Sequence, residues 1–229
     1  MILYTILPFM VVKSRMTYPN FNEEKKLWKQ GYKNVVGLDE AGRGPLAGPV
    51  VAAAVCVAAN AKILLKGIND SKKLSEKQRE NFYKILTNHK EIKWGIGTVS
   101  EKVIDRVNVL EATKLAMQKS FKKLSPDFLL VDGNFIVRQK NRKSIRKKEI
   151  LEKTFIKGDQ KIFSIAAASI IAKVTRDRIM KKYHKKYPKY GFDKHKGYGT
   201  VLHMENLKKF GLCKIHRKTF YPARCINMS

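Results

Sequence analysis

Acidic residues are scarce in this chain: 19 Asp and Glu stand against 48 Lys and Arg, for a formal net charge of +29 at pH 7. Cysteine is nearly missing. Cys56, Cys213 and Cys225 are odd in number and widely spaced, which excludes a disulfide framework and fits a reducing cytoplasm. No fourth ligand stands at a plausible spacing from Cys213, His216 and Cys225, so a structural zinc site is disfavoured. The apolar patch Met1 to Val12 is too short to span a bilayer and is broken by Pro8. No basic residue precedes it and no clear cleavage site follows, which argues against a signal peptide. Internal repeats, low-complexity linkers and a Gly-x-x-x-x-Gly-Lys phosphate loop are all lacking.

What remains is a globular chain of 229 residues with 44% hydrophobic residues, long enough to bury a real core. Its surplus of positive charge repels itself in the compact state and calls for a polyanionic partner, although free use of lysine contributes to the same number.

The stretch Val35 to Val51 organises the rest. An apolar run ends in Asp39 and Glu40, the loop Gly42-Arg43-Gly44-Pro45 follows, and a second apolar run spans Val50 to Val57. Neighbouring side chains on a strand face opposite ways, so the two acids share a site only if the strand ends there, and the glycines permit that break. A solvated hairpin turn is the bland alternative. Paired oxygen donors suit a hard divalent cation, and a glycine loop with an arginine suits a phosphodiester.

Further along, Ser75 and Gln78 form a capping box for a helix through about Asn88, preceded by Asn69-Asp70-Ser71-Lys72-Lys73. Ile92 to Val99 reads as a strand, and Ser100 as the cap of one long helical region ending at Ser125-Pro126. Phe128 to Val131 is a buried strand that delivers Asp132 at its end, where an acid is costly unless paired or metal-bound; a turn-forming Asp before Gly133 is the alternative. Ile136 to Lys153 holds eight Lys or Arg against two Glu. It reads as a solvated basic loop or as an extra nucleic-acid contact. Thr154 to Asp159 predicts another short strand ending in an acid, followed by an Ala/Ser-rich helix from Phe163 that can press close to a sheet. Asp177, about five turns beyond Asp159, reads as structural and paired with a base. Tyr198 lies between two glycines, exposed for stacking on a sugar or base, or else packed as a turn tyrosine. A capped helix runs from Val201 to Phe210, and Cys213 to Ser229 reads as a peripheral basic tail.

Three dense blocks, at Val35–Val51, at Lys157-Gly158-Asp159 with its helix, and at His195 to Thr200, resemble the type 2 ribonucleases H, the ribonuclease HII family. The resemblance covers about residues 35–221; the basic stretch 136–153 departs from it. It implies an α/β fold, a ribonuclease H-like mixed sheet flanked by helices with a helical C-terminal appendage. It divides the chain into an N-terminal extension (1–33), a catalytic domain (34–221) and a tail (222–229). It also implies four catalytic carboxylates, Asp39, Glu40, Asp132 and Asp159, the first three as metal ligands. Two Mn2+ or Mg2+ ions would neutralise them, one activating water and the other stabilising the leaving 3′-oxygen. By the same resemblance Gly42, Arg43 and Gly44 read the 2′-hydroxyl, Lys72 or Lys73 touches phosphate, and Tyr198 packs on the next deoxyribose. The expected activity, in a cytoplasmic monomer, is cleavage of RNA in RNA–DNA hybrids and of ribonucleotides embedded in duplex DNA, leaving 3′-hydroxyl and 5′-phosphate ends. Two rivals stay open: a basic nucleic-acid-binding protein without catalysis, and a metal-dependent nuclease acting on DNA alone.

Overall fold

The computed structural model describes residues 18–59, 61, 67–137 and 150–226. In chain order these form α1 (Asn22–Lys29), β1 (Val35–Ala41), β2 (Val50–Val57), α2 (Glu76–Asn88), β3 (Ile92–Val99), α3 (Glu101–Val107) and α4 (Val109–Phe121). Then follow β4 (Phe128–Asp132), β5 (Leu151–Phe155), α5 (Phe163–Lys186), α6 (Phe192–His195), α7 (Val201–Phe210) and α8 (Ala223–Ile226). The five strands make one mixed sheet in the order β3-β2-β1-β4-β5. β1 runs antiparallel to β2 and parallel to β4. This is the ribonuclease H-like architecture that the sequence implied.

Alternation along β2 sends Ala53, Val55 and Val57 to one face, against α5. Ala52, Ala54 and Cys56 go to the other, against Ala112, Ala116 and Met117 of α4. Small residues set both spacings. A Cβ on Gly37 would collide with the backbone of Ser164 at the start of α5, and one on Gly97 with the carbonyl of Ala116. The first ten residues of α5, Phe163 to Ala172, are buried, so a larger side chain at Ala167 would overpack the interface by roughly 1–3 kcal/mol. Glu24 of α1 accepts the backbone N–H of Ser164 at 2.9 Å, which docks α1 against the first turn of α5 and suits the helix dipole.

Local signals held where a side chain closes its own hydrogen bond. Ser75 and Gln78 make the expected capping box of α2, and Thr200 accepts the N–H of His203 to start α7. Elsewhere tertiary structure intervened. Ser100 makes no side-chain cap, and the expected single helix splits at Asn108. That residue takes φ 68° and its Oδ1 accepts from Leu110 and Glu111 to start α4. The strand expected at 154–159 lies earlier, at Leu151–Phe155, because pairing with β4 fixes its register; Asp159 sits instead in a 3-10 turn, Gly158–Gln160. The segment from Cys213 is no peripheral tail as far as Arg217: Ile215, His216 and Arg217 are buried, and His216 bridges to Ala47. The apolar patch Met1 to Val12 and most of the basic stretch, residues 138–149, lie outside the described residues. Among the described residues no helix is long and apolar enough to cross a membrane.

Candidate active site

The four acids come together at one end of β1 and β4, by a different local route from the one the sequence suggested. β1 does not end at Asp39; it stays regular through Ala41, with Asp39 opposite Ala53 and Glu40 opposite Ala52. Alternation therefore turns Asp39 toward α5 and Glu40 toward the α4 face. The parallel ladder between β1 and β4, however, stops at Leu38 and Val131. Beyond it the two strands no longer pair, and the gap between their ends is the notch at which Asp39 stands within charge range of Glu40, Asp132 and Asp159. Asp132 is the last residue of β4, and its Oδ1 accepts the Gly158 N–H at 2.7 Å. Gly158 has no side chain to spare there: a Cβ would stand 3.3 Å from that oxygen and 2.7 Å from Ile165. This clamp ties the turn bearing Asp159 to the end of β4.

The electrostatics follow from four partly or wholly buried carboxylates close together. Burial, then Glu40, Asp132 and Asp159, push Asp39 well above the usual carboxylate range. Burial raises Glu40 to about 7, with Arg43 pulling down and Asp132 pushing up. Burial also raises Asp132, against the Gly158 N–H and Lys72. Asp159 rises to about 6 through burial, then Asp70 and Asp132. Burial works against the ammonium of Lys72, but Asp70, Asp159, Asp39 and Asp132 outweigh it and raise its pKa. Lys72 thus stands in the field of the acids, on the 3-10 turn Ser71–Lys73; a hydrogen bond from Ser169 of α5 to Ser71, 2.8 Å long, fastens that turn.

The 42–49 loop faces the same notch. Arg43 reaches Glu40 at 3.5 Å and leaves much of its side chain in solvent. Gly44 is open: the nearest atom to a Cβ there would be the Tyr198 ring, 4.0 Å away. Tyr198 is 43% exposed, with the Arg176 guanidinium 5.8 Å and the Lys173 ammonium 6.0 Å from its ring centre. Asp177 is paired with Lys173 at 2.8 Å, as expected of a structural acid. Arg43 and Lys72 are thus within charge range of the acids, and Tyr198 stands beside Gly44.

Three contributors went unrecognised in the sequence. Asp70 is a fifth acid: it accepts the Lys72 N–H at 2.9 Å and the Gln160 amide at 3.4 Å. Arg176 and Arg217 are both fully buried. Arg176 donates to the carbonyls of Ala47, Pro49 and Lys196, and Arg217 to those of Gly42, Arg43 and Gly48. Burial lowers the pKa of both, Arg217 to about 9. These guanidiniums lash the loop from beneath. Gly42, at φ 99°, has to be glycine because a Cβ would strike Arg176. Arg176, set among Lys173, Asp177 and Arg178 beyond the apolar stretch of α5, gave little signal. Arg217, one base among many near the C-terminus, gave none.

Comparison with known proteins bears on the fold and the family. The family model described as Ribonuclease HII matches residues 36–223. The Ribonuclease HII of Chlamydia muridarum is 53% identical over 203 residues, 88% of each chain. Among solved structures, the ribonuclease H2 of Pyrococcus horikoshii OT3 superposes with a TM-score of 0.67 at 29% identity, covering 85% of this chain and 97% of its own. The RNase HII solved in complex with PCNA from Archaeoglobus fulgidus gives 0.66 at 25% identity, covering 82% and 95%. Likeness of this extent in sequence and in fold makes the chain a member of the ribonuclease HII family, endonucleases that hydrolyse RNA in RNA–DNA hybrids.

Proposed function

We propose that the chain is a divalent-metal-dependent endonuclease that cleaves at ribonucleotides, both in hybrids and singly embedded in duplex DNA, leaving 3′-hydroxyl and 5′-phosphate ends. The observation that carries this reading is the gathering of Asp39, Glu40, Asp132 and Asp159 beside the glycine loop that bears Arg43. Their proton affinities are raised, and Glu40 Oε2 is buried without a hydrogen-bond partner among the described residues. Such a donor set fits Mg2+ or Mn2+. Among the described residues no three His, Cys, Asp or Glu form a closed ligand group, and hard cations are commonly held by one or two carboxylates together with substrate phosphate and water. Bound there, the cations would lower the pKa of water and stabilise the departing 3′-oxygen.

The chain's own residues do the rest. Asp39, Glu40 and Asp132 orient their oxygens into the notch, and Asp159 serves from the turn that Gly158 clamps to Asp132. Lys72 faces the acids and would bind the phosphate flanking the cleavage point. The backbone of Gly42 and Gly44, with Arg43, would read the 2′-hydroxyl, the sugar group that separates RNA from DNA. Tyr198, across from Gly44, would pack on the following deoxyribose. The single-ribonucleotide duplex, assayed with and without Mg2+ or Mn2+, tests the reading. Cleavage that needs both the metal and the 2′-hydroxyl supports it; metal-independent binding without cleavage supports the non-catalytic rival. We take the enzyme to work as a monomer in the cytoplasm, in keeping with its low cysteine content.

A further inference from the structure

Away from the acids, the densest titratable cluster is a group of three histidines behind Tyr198. His195 closes α6, His203 lies in the first turn of α7, and His216 comes from the segment that crosses under Ala47. All three are buried. His195 and His203 stack with ring centres 4.3 Å apart, and the edge of Phe192 packs on His203 at 5.6 Å.

Their hydrogen bonds run in one direction. A carbonyl oxygen only accepts, so His203 Nδ1, 2.9 Å from the Tyr198 carbonyl, carries a proton and donates it. The Cys213 N–H donates to His216 Nδ1 at 2.8 Å, shorter than the 3.3 Å to the Cys213 carbonyl. His216 therefore carries its proton on Nε2, which donates to His203 Nε2 at 3.1 Å. The chain reads Cys213 N–H, His216, His203, Tyr198 carbonyl, with both rings neutral. Burial, the largest influence, keeps both neutral, with pKa values of about 4. His195 holds the same loop separately, through Nε2 to the Tyr190 carbonyl at 2.7 Å and Nδ1 from the Gly197 N–H at 3.1 Å. All six ring nitrogens are engaged, which leaves no lone pair for a metal and no proton to shuttle.

We propose that His203 is a positioning residue for Tyr198, its tautomer dictated by His216, and that this relay holds the backbone beneath the tyrosine so that its ring stands over Gly44. The proposal rests on Tyr198 being the reader described above. An imidazole suits the task because it donates from one edge and accepts from the other within a flat, packable ring. Any aliphatic replacement fills space but leaves the Tyr198 carbonyl to the Thr200 N–H alone, at 2.8 Å, and strands the His216 N–H.

The test is a double-mutant cycle of His203→Ala and Tyr198→Ala, measured as kcat/KM on a duplex with one embedded ribonucleotide and on a continuous hybrid. His203→Asn, whose amide keeps a donor near the Nδ1 position, is measured beside them. If His203 acts through Tyr198, His203→Ala lowers cleavage by an amount within the roughly five- to hundredfold range of a lost stacking contact. It then adds little once Tyr198 is already alanine, and His203→Asn recovers most of the loss. Full additivity of the two substitutions, or no rescue by asparagine, overturns the positioning role. The reader assignment is judged separately, by whether Tyr198→Ala hurts the embedded substrate more than the continuous one. Equal losses refute the reader, while the cycle still decides the coupling. Should His203→Ala fail to fold by circular dichroism, His203→Gln, whose amide is displaced from the Nδ1 position, takes its place in the cycle.

Discussion

The site acids should destabilise the metal-free protein, and Asp159 offers a clean measure. Its folded pKa of about 6, against 3.8 for the ordinary group, means the native state binds more protons than the unfolded state between those values. Stability from this group is therefore full below about pH 4, falls as pH rises through 6, and is lowest once the cluster is ionised. A shift of about two pH units corresponds to roughly 3 kcal/mol at ~1.36 kcal/mol per unit. Coupling among the acids and water in the open notch reduce this to about 1–3 kcal/mol. Asp159→Asn in EDTA at pH 8 should then be more stable than wild type, by about 2–12 °C in Tm at ~2–4 °C per kcal/mol. At pH 4 the difference should vanish. Adding Mg2+ or Mn2+ at a hundred times Kd should raise wild-type stability by about 2.7 kcal/mol, and the variant by less. Thermal unfolding followed by circular dichroism at both pH values, with and without metal, is the assay. A variant that is less stable than wild type at pH 8 in EDTA would refute the account of the cluster as self-repelling.

Asp132→Asn should abolish cleavage yet still bind hybrid and fold, since an amide replaces an ionised ligand poorly; measurable turnover removes Asp132 from the catalytic set. His203 and His216, with pKa values lowered to about 4, should make the fold acid-sensitive. Their stability contribution is present above about pH 6.5 and lost as pH falls through 4, so His216→Asn should flatten the Tm profile across that interval, and an unaltered profile counts against the neutral relay. Hybrid binding should weaken steeply with salt through counterion release. Neutralising Arg142, Lys143, Arg146, Lys147 and Lys148, which lie outside the described residues, should reduce that slope if they touch nucleic acid; identical slopes return them to solvent.

The parts of this enzyme that were legible in its sequence share one property: the signal and the structure it specifies are close together in the chain. β2, β3 and α7 appear within their expected bounds because an unbroken apolar run, a β-rich segment, or a capping threonine with a stopping glycine marks each locally. Asp39 and Glu40 were legible as a pair because they are adjacent, although the reason they share a site lies in the short ladder with β4, which no local pattern encodes. The position of β5 depended on a partner strand, and the break at Asn108 on a left-handed residue between two otherwise continuous helical faces. Arg217 shows the limit most plainly. In the sequence it is one of 48 basic residues; only the fold reveals that its donors end on the loop beside the acids.

That lashing has a consequence for how the enzyme is made. Arg217 and the Gly42 carbonyl it holds are separated by 175 residues. At a synthesis rate of about 5–20 residues per second, β1 and its loop emerge roughly 10–35 s before the side chain that fixes them. Through that interval Asp39 and Glu40, and later Asp132 and Asp159, are made while the carbonyls of Gly42, Arg43 and Gly48 still lack the guanidinium that holds them. A product that stops short of Arg217 should thus carry all four acids beside a loop without this anchor, so the order in which the parts are made is the reverse of the order in which they support one another.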